Sequence, residues 1–250
     1  MFEPTIPFGE PELMRVSAFR RYLDELVRSQ GGGVGVTTRM SSLSPSLMDD
    51  LMRFEHDGRR AEALEVMAAC IRHSQRVTVH LQSGDKVIPL TVFPQERLVH
   101  CPIEMEQFLS SRLTELEVLH VEPALLRPPG DSEQALVGDL HQYHPLGPLL
   151  WELAMRGNRA ELLPEIVGPA AYRVSPGMDF GGLRLSGAMV AAVERLQRQT
   201  TNLRDLADAP GFDRERAMRL LNALYLQAGL IVSRTHPEAV SDSWFGALGR

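Results

Sequence analysis

Two small groups of side chains have the types needed for chemistry: His100 with Cys101, and His141 with His144. A thiol nucleophile needs a separate base and a positive environment, whereas Cys101 ends a predicted strand on which it and His100 point to opposite faces. His141 and His144 are three residues apart in a proline-rich segment, with no third ligand in register. The sequence therefore predicts no catalytic and no metal-binding residue.

The glycine-rich run GGGVGVTT, residues 31–38, could hold a phosphate through its backbone amides. A phosphate-binding loop also needs a lysine before its Ser or Thr, and Lys86 is the only lysine in the chain. The run also follows a predicted helix, where a dinucleotide-binding loop would follow a strand. We therefore expect a connector at this position and no cofactor.

Three arginines, Arg214, Arg216 and Arg219, occupy the first half of a predicted helix near the C-terminus. Arginines in this position contact bases or phosphates when such a helix lies in the major groove of DNA. Asp213 and Glu215 lie among them, however, and would repel phosphates. One hypothesis is therefore a DNA-binding helix–turn–helix at residues 202–228, and the other is a helix covered by protein.

Five large side chains are predicted to bind a protein partner. Leu221 and Tyr225 belong to the later part of the same helix, which is apolar around most of its circumference. Trp151 lies on a helix that is apolar on more than one face. Trp244 and Phe245 lie in a tail without periodicity, where exposed aromatic rings would anchor a partner. Folding of that tail onto its own domain is the alternative.

The elements around these residues form a helix–turn–helix. Thr200, Thr201 or Asn202 can cap the second helix of residues 184–235, Asp213 can cap the third, and Pro210-Gly211 separates the two. Gly229 is expected to end the third helix, and the run LIVSR after it to form a strand. Three helices followed by a strand resemble a winged-helix domain, an architecture that many families share.

Upstream, the apolar period changes to two. The run RVTVHLQ places alternate residues on one face, SGDK is a turn signal, and KVIPLTVF returns as a partner strand. Pro89 lacks a backbone N–H, which predicts that this second strand lies at a sheet edge or bulge. Two further strands are expected in ERLVHC and LEVLHV.

Residues 77–102, VTVHLQSGDKVIPLTVFPQERLVHCP, resemble the strand core of PATAN-type domains. These are bacterial signalling modules of response-regulator and of gliding or pilus-control proteins. The sequence departs from the usual pattern in Pro89 and Pro94, and in Gln95-Glu96 where an Asp-Gly pair is usual. The resemblance implies a regulatory role without catalysis.

Composition limits the class of protein. The 250 residues are 44% apolar and 23% charged, as in an ordinary globular protein, and the net charge is −6. The two cysteines, Cys70 and Cys101, are far apart, which excludes a disulfide framework and fits a reducing cytosol. The N-terminus lacks the bases and apolar run of a signal peptide, and no run of about 18 apolar residues predicts a membrane span. We therefore expect a cytoplasmic location and no membrane partner, and the preference for arginine over lysine suggests a bacterial source.

The predicted fold class is α+β, with two domains. Residues 1–125 are expected to form an α/β domain with a small mixed sheet, and residues 126–148 a proline-rich linker. Residues 149–235 are expected to form a mainly helical, winged-helix-like domain, followed by a tail at 236–250.

Taken together, these observations favour a non-enzymatic regulatory or adaptor protein of the bacterial cytoplasm that acts by protein–protein interaction, in signalling or motility control. The alternative is a transcription regulator that binds DNA through the arginines of its helix–turn–helix. A third hypothesis, an enzyme that uses Cys101 or His144, has the least support from the residues.

Overall fold

The computed structural model describes residues 13–30, 43–54, 61–130, 138–185 and 187–241. The chain divides into two compact units, Met1–Leu146 and Gly147–Arg250. Helices and β-sheet occur together, which confirms the α+β class. The strands pair antiparallel throughout these ranges, so the prediction of a mixed sheet is wrong. None of the described helices has the length and apolar character that a membrane crossing needs.

The first unit contains a five-stranded antiparallel sheet with the order β4-β1-β2-β3-β5. Its elements are α1 (Val16–Gln30), α2 (Pro45–Phe54), α3 (Ala63–Arg72), β1 (Val77–Ser83), β2 (Lys86–Phe93), β3 (Leu98–His100), α4 (Met105–Ser110), β4 (Glu117–Pro123) and β5 (Tyr143–Pro145). The predicted turn joins β1 to β2, with Gly84 at a φ of +60°, where a glycine avoids the steric clash of a side chain.

The two faces of this sheet differ in polarity. Alternate residues of β1 (Val77, Val79 and Leu81) are buried on one face, as their spacing predicts. The opposite face carries a row of polar residues across all five strands, in the order Glu122, Thr78, Thr91, His100 and Tyr143.

Helix α1 packs against this second face. Val16 and Phe19 form a buried apolar cluster with Val87, and the ring of Phe19 stacks on that of His80 with centroids 4.7 Å apart. Arg20 donates a hydrogen bond to the side chain of Gln82 on the same face, at 3.0 Å. The helical spacing of Val16 and Phe19 therefore places both on the sheet.

Pro89 lies in an interior strand, since β2 has β1 on one side and β3 on the other. The β3 pairing covers only residues 91–93, however, and Val87 donates its N–H to Met14, on the side away from β1. Pro89 is two residues further along, so its nitrogen points to the same side, where β3 does not reach. The prediction of a sheet edge is thus wrong for the strand and right for this one position.

The predicted linker, residues 126–148, is wrong over its last part. Tyr143–Pro145 form β5, which pairs with β3, and α5 begins at the next residue. The Tyr143 hydroxyl donates to the carbonyl of Arg127 at 2.6 Å and accepts from the N–H of Gly138 at 3.0 Å. The prolines of this segment are compatible with regular structure, because Pro145 lies at the end of β5 and Pro148 in the first turn of α5, where proline is tolerated.

The second unit contains a three-stranded antiparallel sheet with the order β7-β6-β8. Its elements are α5 (Leu146–Arg156), β6 (Ala171–Val174), α6 (Ala188–Arg198), β7 (Thr201–Asn202), α7 (Leu203–Ala207), α8 (Arg214–Leu226), β8 (Leu230–Ser233) and α9 (Pro237–Ser241). The predicted LIVSR strand is β8, and its partner is β6, which precedes all three helices of the helix–turn–helix.

Both predicted helix caps are present. The side chain of Asn202 accepts from the N–H of Asp205 at 2.8 Å, and that of Asp213 accepts from the N–H of Arg216 at 2.7 Å. Gly211, in the turn between α7 and α8, has a φ of +77°. The local sequence signals therefore position α7 and α8 correctly.

The end of α8 differs from the prediction. The residue with left-handed backbone is Ala228, with a φ of +56°, and Gly229 follows it and donates to the carbonyl of Leu224 at 3.0 Å. A Cβ at Gly229 would lie against the side chain of Met178, which would have to move to make room for it.

Candidate functional site

Arg219 is part of the interior of its unit. Its side chain is only 13% exposed, and its guanidinium donates to the carbonyls of Gly157 at 2.9 Å and Ala154 at 3.3 Å, at the C-terminal end of α5. Its Nε also donates to Glu215 at 2.8 Å. A positive charge suits the carbonyl end of a helix. Arg219 therefore joins α8 to α5 and presents no face to DNA.

The other two arginines are exposed. Arg216 donates to the carbonyl of Gly211 at 2.9 Å and lies 3.9 Å from the Asp213 carboxylate. Arg214 is exposed beside Glu215. The start of α8 thus presents arginines and acids in alternation, and only two of the three predicted DNA-binding residues face solvent.

Two of the five predicted partner-binding residues are core residues. Leu221 is fully buried, Trp151 is 1% exposed, and Tyr225 is half-buried. The prediction that Leu221 and Trp151 form a partner surface is therefore wrong, because the apolar circumference of α8 is already covered within the folded chain. Trp244 and Phe245 lie outside the described residues, so their prediction stays open.

A second buried polar contact in α8 was not found from the sequence. The side chain of Asn222 has no exposed surface. Its Oδ1 accepts from the N–H of Leu163 at 2.9 Å, and its Nδ2 donates to the carbonyl of Glu161 at 2.9 Å. The sequence does contain a signal for this contact, since a single asparagine lies among the leucines of an apolar helix. Through its two hydrogen bonds, Asn222 holds residues 161–163 against α8.

The candidate nucleophile, Cys101, lies in an environment that favours its neutral thiol. Cys101 is fully buried, and burial raises the pKa of its thiol to about 11, with Glu104 adding to the effect and a backbone hydrogen bond from Ile103 opposing it. Burial also shifts His144, the other residue of the enzyme hypothesis, and lowers the pKa of its imidazole. A neutral thiol is a poor nucleophile. Within the described ranges, no three His, Cys, Asp or Glu side chains are arranged to hold a metal ion.

Histidines and acids in the first unit form structural pairs. The Nε2 of His80 lies 2.9 Å from a Glu122 carboxylate oxygen, on the polar face of the sheet. Asp50 of α2 binds Arg72 and His73 at the end of α3. Burial raises the pKa of Asp50, but the hydrogen bonds from these two partners outweigh it, so the pKa lies below its ordinary value. This contact joins α2 to α3.

An apolar groove of about 270 Å³ lies among the described residues of the first unit. It lies between α2 and the edge strand β4, and we call it the β4 groove. Its lining comprises Leu43, Met48, Leu51, Met52, Ala61, Val66, Val118, Leu119, His120 and Val121. Met48, Leu51 and Met52 follow helical spacing along one face of α2, and Met52 is 54% exposed. The spacing was readable in the sequence, but its position beside β4 was not.

Comparison with known proteins gives no guide to function. No model of a protein family matches the chain, and neither a curated protein nor a solved structure matches it. The chain's own residues are therefore the basis for its function, and among the described residues the β4 groove is a surface that could bind a partner.

Proposed function

We propose that the chain is a non-enzymatic regulatory or adaptor protein of the bacterial cytoplasm that acts by binding another protein. The observation that carries this proposal is the β4 groove, an apolar surface that the described residues of its unit leave partly exposed. Exposed apolar surface in a groove is typical of interaction sites. The buried state of both cysteines is consistent with a reducing compartment.

The second unit supports the same proposal. We interpret it as winged-helix-like, with β6 as the central strand between β7 and β8. Its α8 offers little for reading DNA, because most of its side chains from Ala217 to Leu226 are buried or half-buried. A recognition helix needs an exposed polar face for the groove. This burial weakens the DNA-binding alternative and so favours the protein-binding proposal for the chain as a whole.

Residues 77–102, which resemble a PATAN-type strand core, form two paired strands, β1 and β2, followed by the short β3. Together with the resemblance of residues 77–102, this pairing supports a role in signalling or motility control. No catalytic step is needed for such a role.

Affinity enrichment followed by mass spectrometry tests the proposal. The baits are the full chain, Met52→Asp in the β4 groove, and Leu140→Asp as a matched control. Leu140 is 71% exposed and lies outside the groove lining, so both substitutions place a charge at an exposed apolar site. We expect specific proteins from a bacterial lysate with the full chain and with Leu140→Asp, and their loss with Met52→Asp.

A set of captured proteins that is unchanged by Met52→Asp would contradict the groove as the binding surface. Duplex DNA provides the test of the alternative function. Binding at low salt that weakens when Arg214 and Arg216 become alanine would favour the transcription regulator, and we expect no such binding.

A further inference from the structure

We propose that Ser46 is a site of covalent acylation, at which an activated serine hydroxyl takes an acyl group from a reactive ester or thioester. The inference goes beyond the proposed function, since it adds a modification site to a partner-binding chain, and it does not depend on the β4 groove. Ser46 is two residues from the groove residue Met48, which is about 200° around α2, so the two features occupy different faces of the helix.

Three side chains form a hydrogen-bonded chain between α2 and the end of α3. The Oγ of Ser46 lies 3.2 Å from Nδ1 of His73, and Nε2 of the same imidazole lies 2.6 Å from a carboxylate oxygen of Asp50. An ionised carboxylate only accepts hydrogen bonds, so Nε2 carries the proton of the neutral imidazole. The lone pair of Nδ1 then accepts the Ser46 hydroxyl. This arrangement of nucleophile, base and orienting acid is the one that activates a serine.

The fold holds each member of this chain in place. Ser46 and Asp50 are four residues apart, so they lie on the same face of α2. His73 is the residue that caps the C-terminal end of α3. The side chain of Gln75 accepts from the N–H of Ser44 at 2.8 Å, which joins the start of α2 to the segment after α3. The hydroxyl and the imidazole are therefore positioned by separate contacts of their own elements.

The hydroxyl is accessible, whereas the groups that activate it are shielded. Ser46 is exposed, and the side chains of His73 and Asp50 are only 18% and 15% exposed. Shielding from water strengthens the contact between imidazole and carboxylate. Arg72 binds the same carboxylate oxygen, so it holds the carboxylate in place and offsets part of its charge. Asp50 therefore acts mainly by orienting the imidazole, and His73 is the base.

The reaction is an acyl transfer that needs only the acyl donor. The Oγ of Ser46 attacks the carbonyl carbon of the donor while its proton moves to Nδ1 of His73. The bond from this carbon to the ester oxygen or thioester sulfur then breaks, and the leaving group takes the proton from His73. The products are a serine ester on the protein and a free alcohol or thiol.

The first turn of α2 limits the donors that react. An oxyanion hole needs N–H groups directed at the developing negative charge, and one such donor contributes about 10²–10³ in rate. The amides that follow Ser46 are already bonded, since Leu47 donates to the side chain of Ser44 at 3.3 Å and Met48 to its carbonyl at 3.0 Å. Only a donor with a good leaving group therefore reacts, and the serine ester that it forms is hydrolysed slowly.

Labelling of the full chain with a biotinylated fluorophosphonate, which reacts with activated serines, tests the inference. A bond from phosphorus to Oγ forms and fluoride leaves. We expect one adduct, located at Ser46 by mass spectrometry. The control Ser110→Ala, at an exposed serine of α4, should label at the wild-type rate. Ser46→Ala should show no adduct, and His73→Gln should label at least about 100-fold more slowly, because a general base contributes about 10²–10⁴ in rate.

4-Nitrophenyl acetate measures the acyl transfer itself. We expect a burst of one equivalent of nitrophenolate and an acetyl group on Ser46, with no burst from Ser46→Ala. Release that continues beyond one equivalent and requires Ser46 supports the activated serine but contradicts the non-enzymatic part of the proposed function. Loss of partner capture by Met52→Asp tests the proposed function separately.

A thiol at the same position reports on His73 without an acyl donor. Both native cysteines are buried, so Ser46→Cys adds one accessible thiol. An imidazole beside a thiol favours the thiolate, so iodoacetamide should alkylate Ser46→Cys at pH 7 about tenfold faster than Ser110→Cys. Adding His73→Gln to Ser46→Cys should remove this difference.

The results that overturn the inference are equally specific. They are no adduct at Ser46 with either probe, an adduct that forms as fast in His73→Gln, or equal alkylation of the two introduced thiols. Urea midpoints of the wild type and His73→Gln establish that the variant is folded under the labelling conditions. The thiol comparison decides the outcome if His73→Gln does not fold, because Ser46→Cys and Ser110→Cys both retain His73.

Discussion

Replacing Arg219 by alanine distinguishes a structural arginine from one that reads DNA. The guanidinium makes hydrogen bonds to two carbonyls at the end of α5, and the side chain is 13% exposed. Hydrogen bonds of charged groups contribute about 1.5–3 kcal/mol, and a cation at a helix C-terminus adds about 0.3–1 kcal/mol. Its pair with Glu215 adds little, because that carboxylate is 56% exposed. We expect Arg219→Ala to lower the free energy of unfolding by about 2–3 kcal/mol.

Urea unfolding followed by tryptophan fluorescence measures this loss. Trp151 is buried in the unit that contains Arg219, so the change in its emission reports on the unfolding of that unit. With a urea dependence of about 2 kcal/mol per molar, the midpoint should fall by about 1 M. The control is Arg214→Ala on the exposed start of the same helix, which should change stability by no more than about 0.5 kcal/mol.

The opposite pattern would refute the structural role of Arg219. If Arg219→Ala left the urea midpoint unchanged and instead weakened binding to duplex DNA, as Arg214→Ala did, both arginines would be DNA contacts. The carbonyl contacts at the end of α5 would then contribute nothing to folding.

Three further predictions concern stability and reactivity. Asn222→Leu should lower the unfolding free energy by about 2–3 kcal/mol, because the N–H of Leu163 and the carbonyl of Glu161 lose their partner. The same change at exposed Asn158 should cost less than about 0.5 kcal/mol. Equal urea midpoints for the two variants would contradict this prediction. The lowered pKa of Asp50 stabilises the folded state at pH values above the pKa of an unfolded aspartate. The melting temperature of the wild type should therefore fall as pH drops below about 4, and Asp50→Asn should reduce this fall. The same dependence of melting temperature on pH in both proteins would count against it. Cys70 and Cys101, with thiol pKa values raised by burial to about 12 and about 11, should not react with a thiol reagent at pH 8 in the folded protein and should both react in urea; rapid labelling of either folded thiol would show an accessible thiolate.

Much of the local structure could be predicted from the sequence, because its causes lie within a few residues. Asn202 and Asp213 cap their helices through amides three residues away, although by type Thr200 and Thr201 are equal candidates for the first of these caps. The turn from β1 to β2 depends on Gly84 in the same way. The end of α8 shows the limit, since glycine is the usual residue with left-handed backbone at a helix end, whereas here Ala228 has it and Gly229 follows.

The candidate site could be predicted only in part. The spacing of Met48, Leu51 and Met52 predicts a helix with one apolar face, but the sequence does not say what that face contacts. Arg214 and Arg219 are the same residue type in the same helix, so the sequence does not distinguish them. In the structure, Arg214 is exposed, whereas Arg219 lies against the end of α5. The apolar residues of α8 were interpreted as a partner surface because the sequence does not show which element covers them.

By itself, the sequence determined the class of the fold, most of its helices and strands, the helix caps, and the lack of a recognisable catalytic motif. The tertiary structure alone decided that β6 joins β7 and β8, that β5 extends the first sheet, and that, among the described residues, β4 is the last strand of its sheet and lines an apolar groove. The physical reason is the range of the interactions. Caps and turns depend on neighbours in the chain, whereas strand order and surface exposure depend on which distant segments pair and pack.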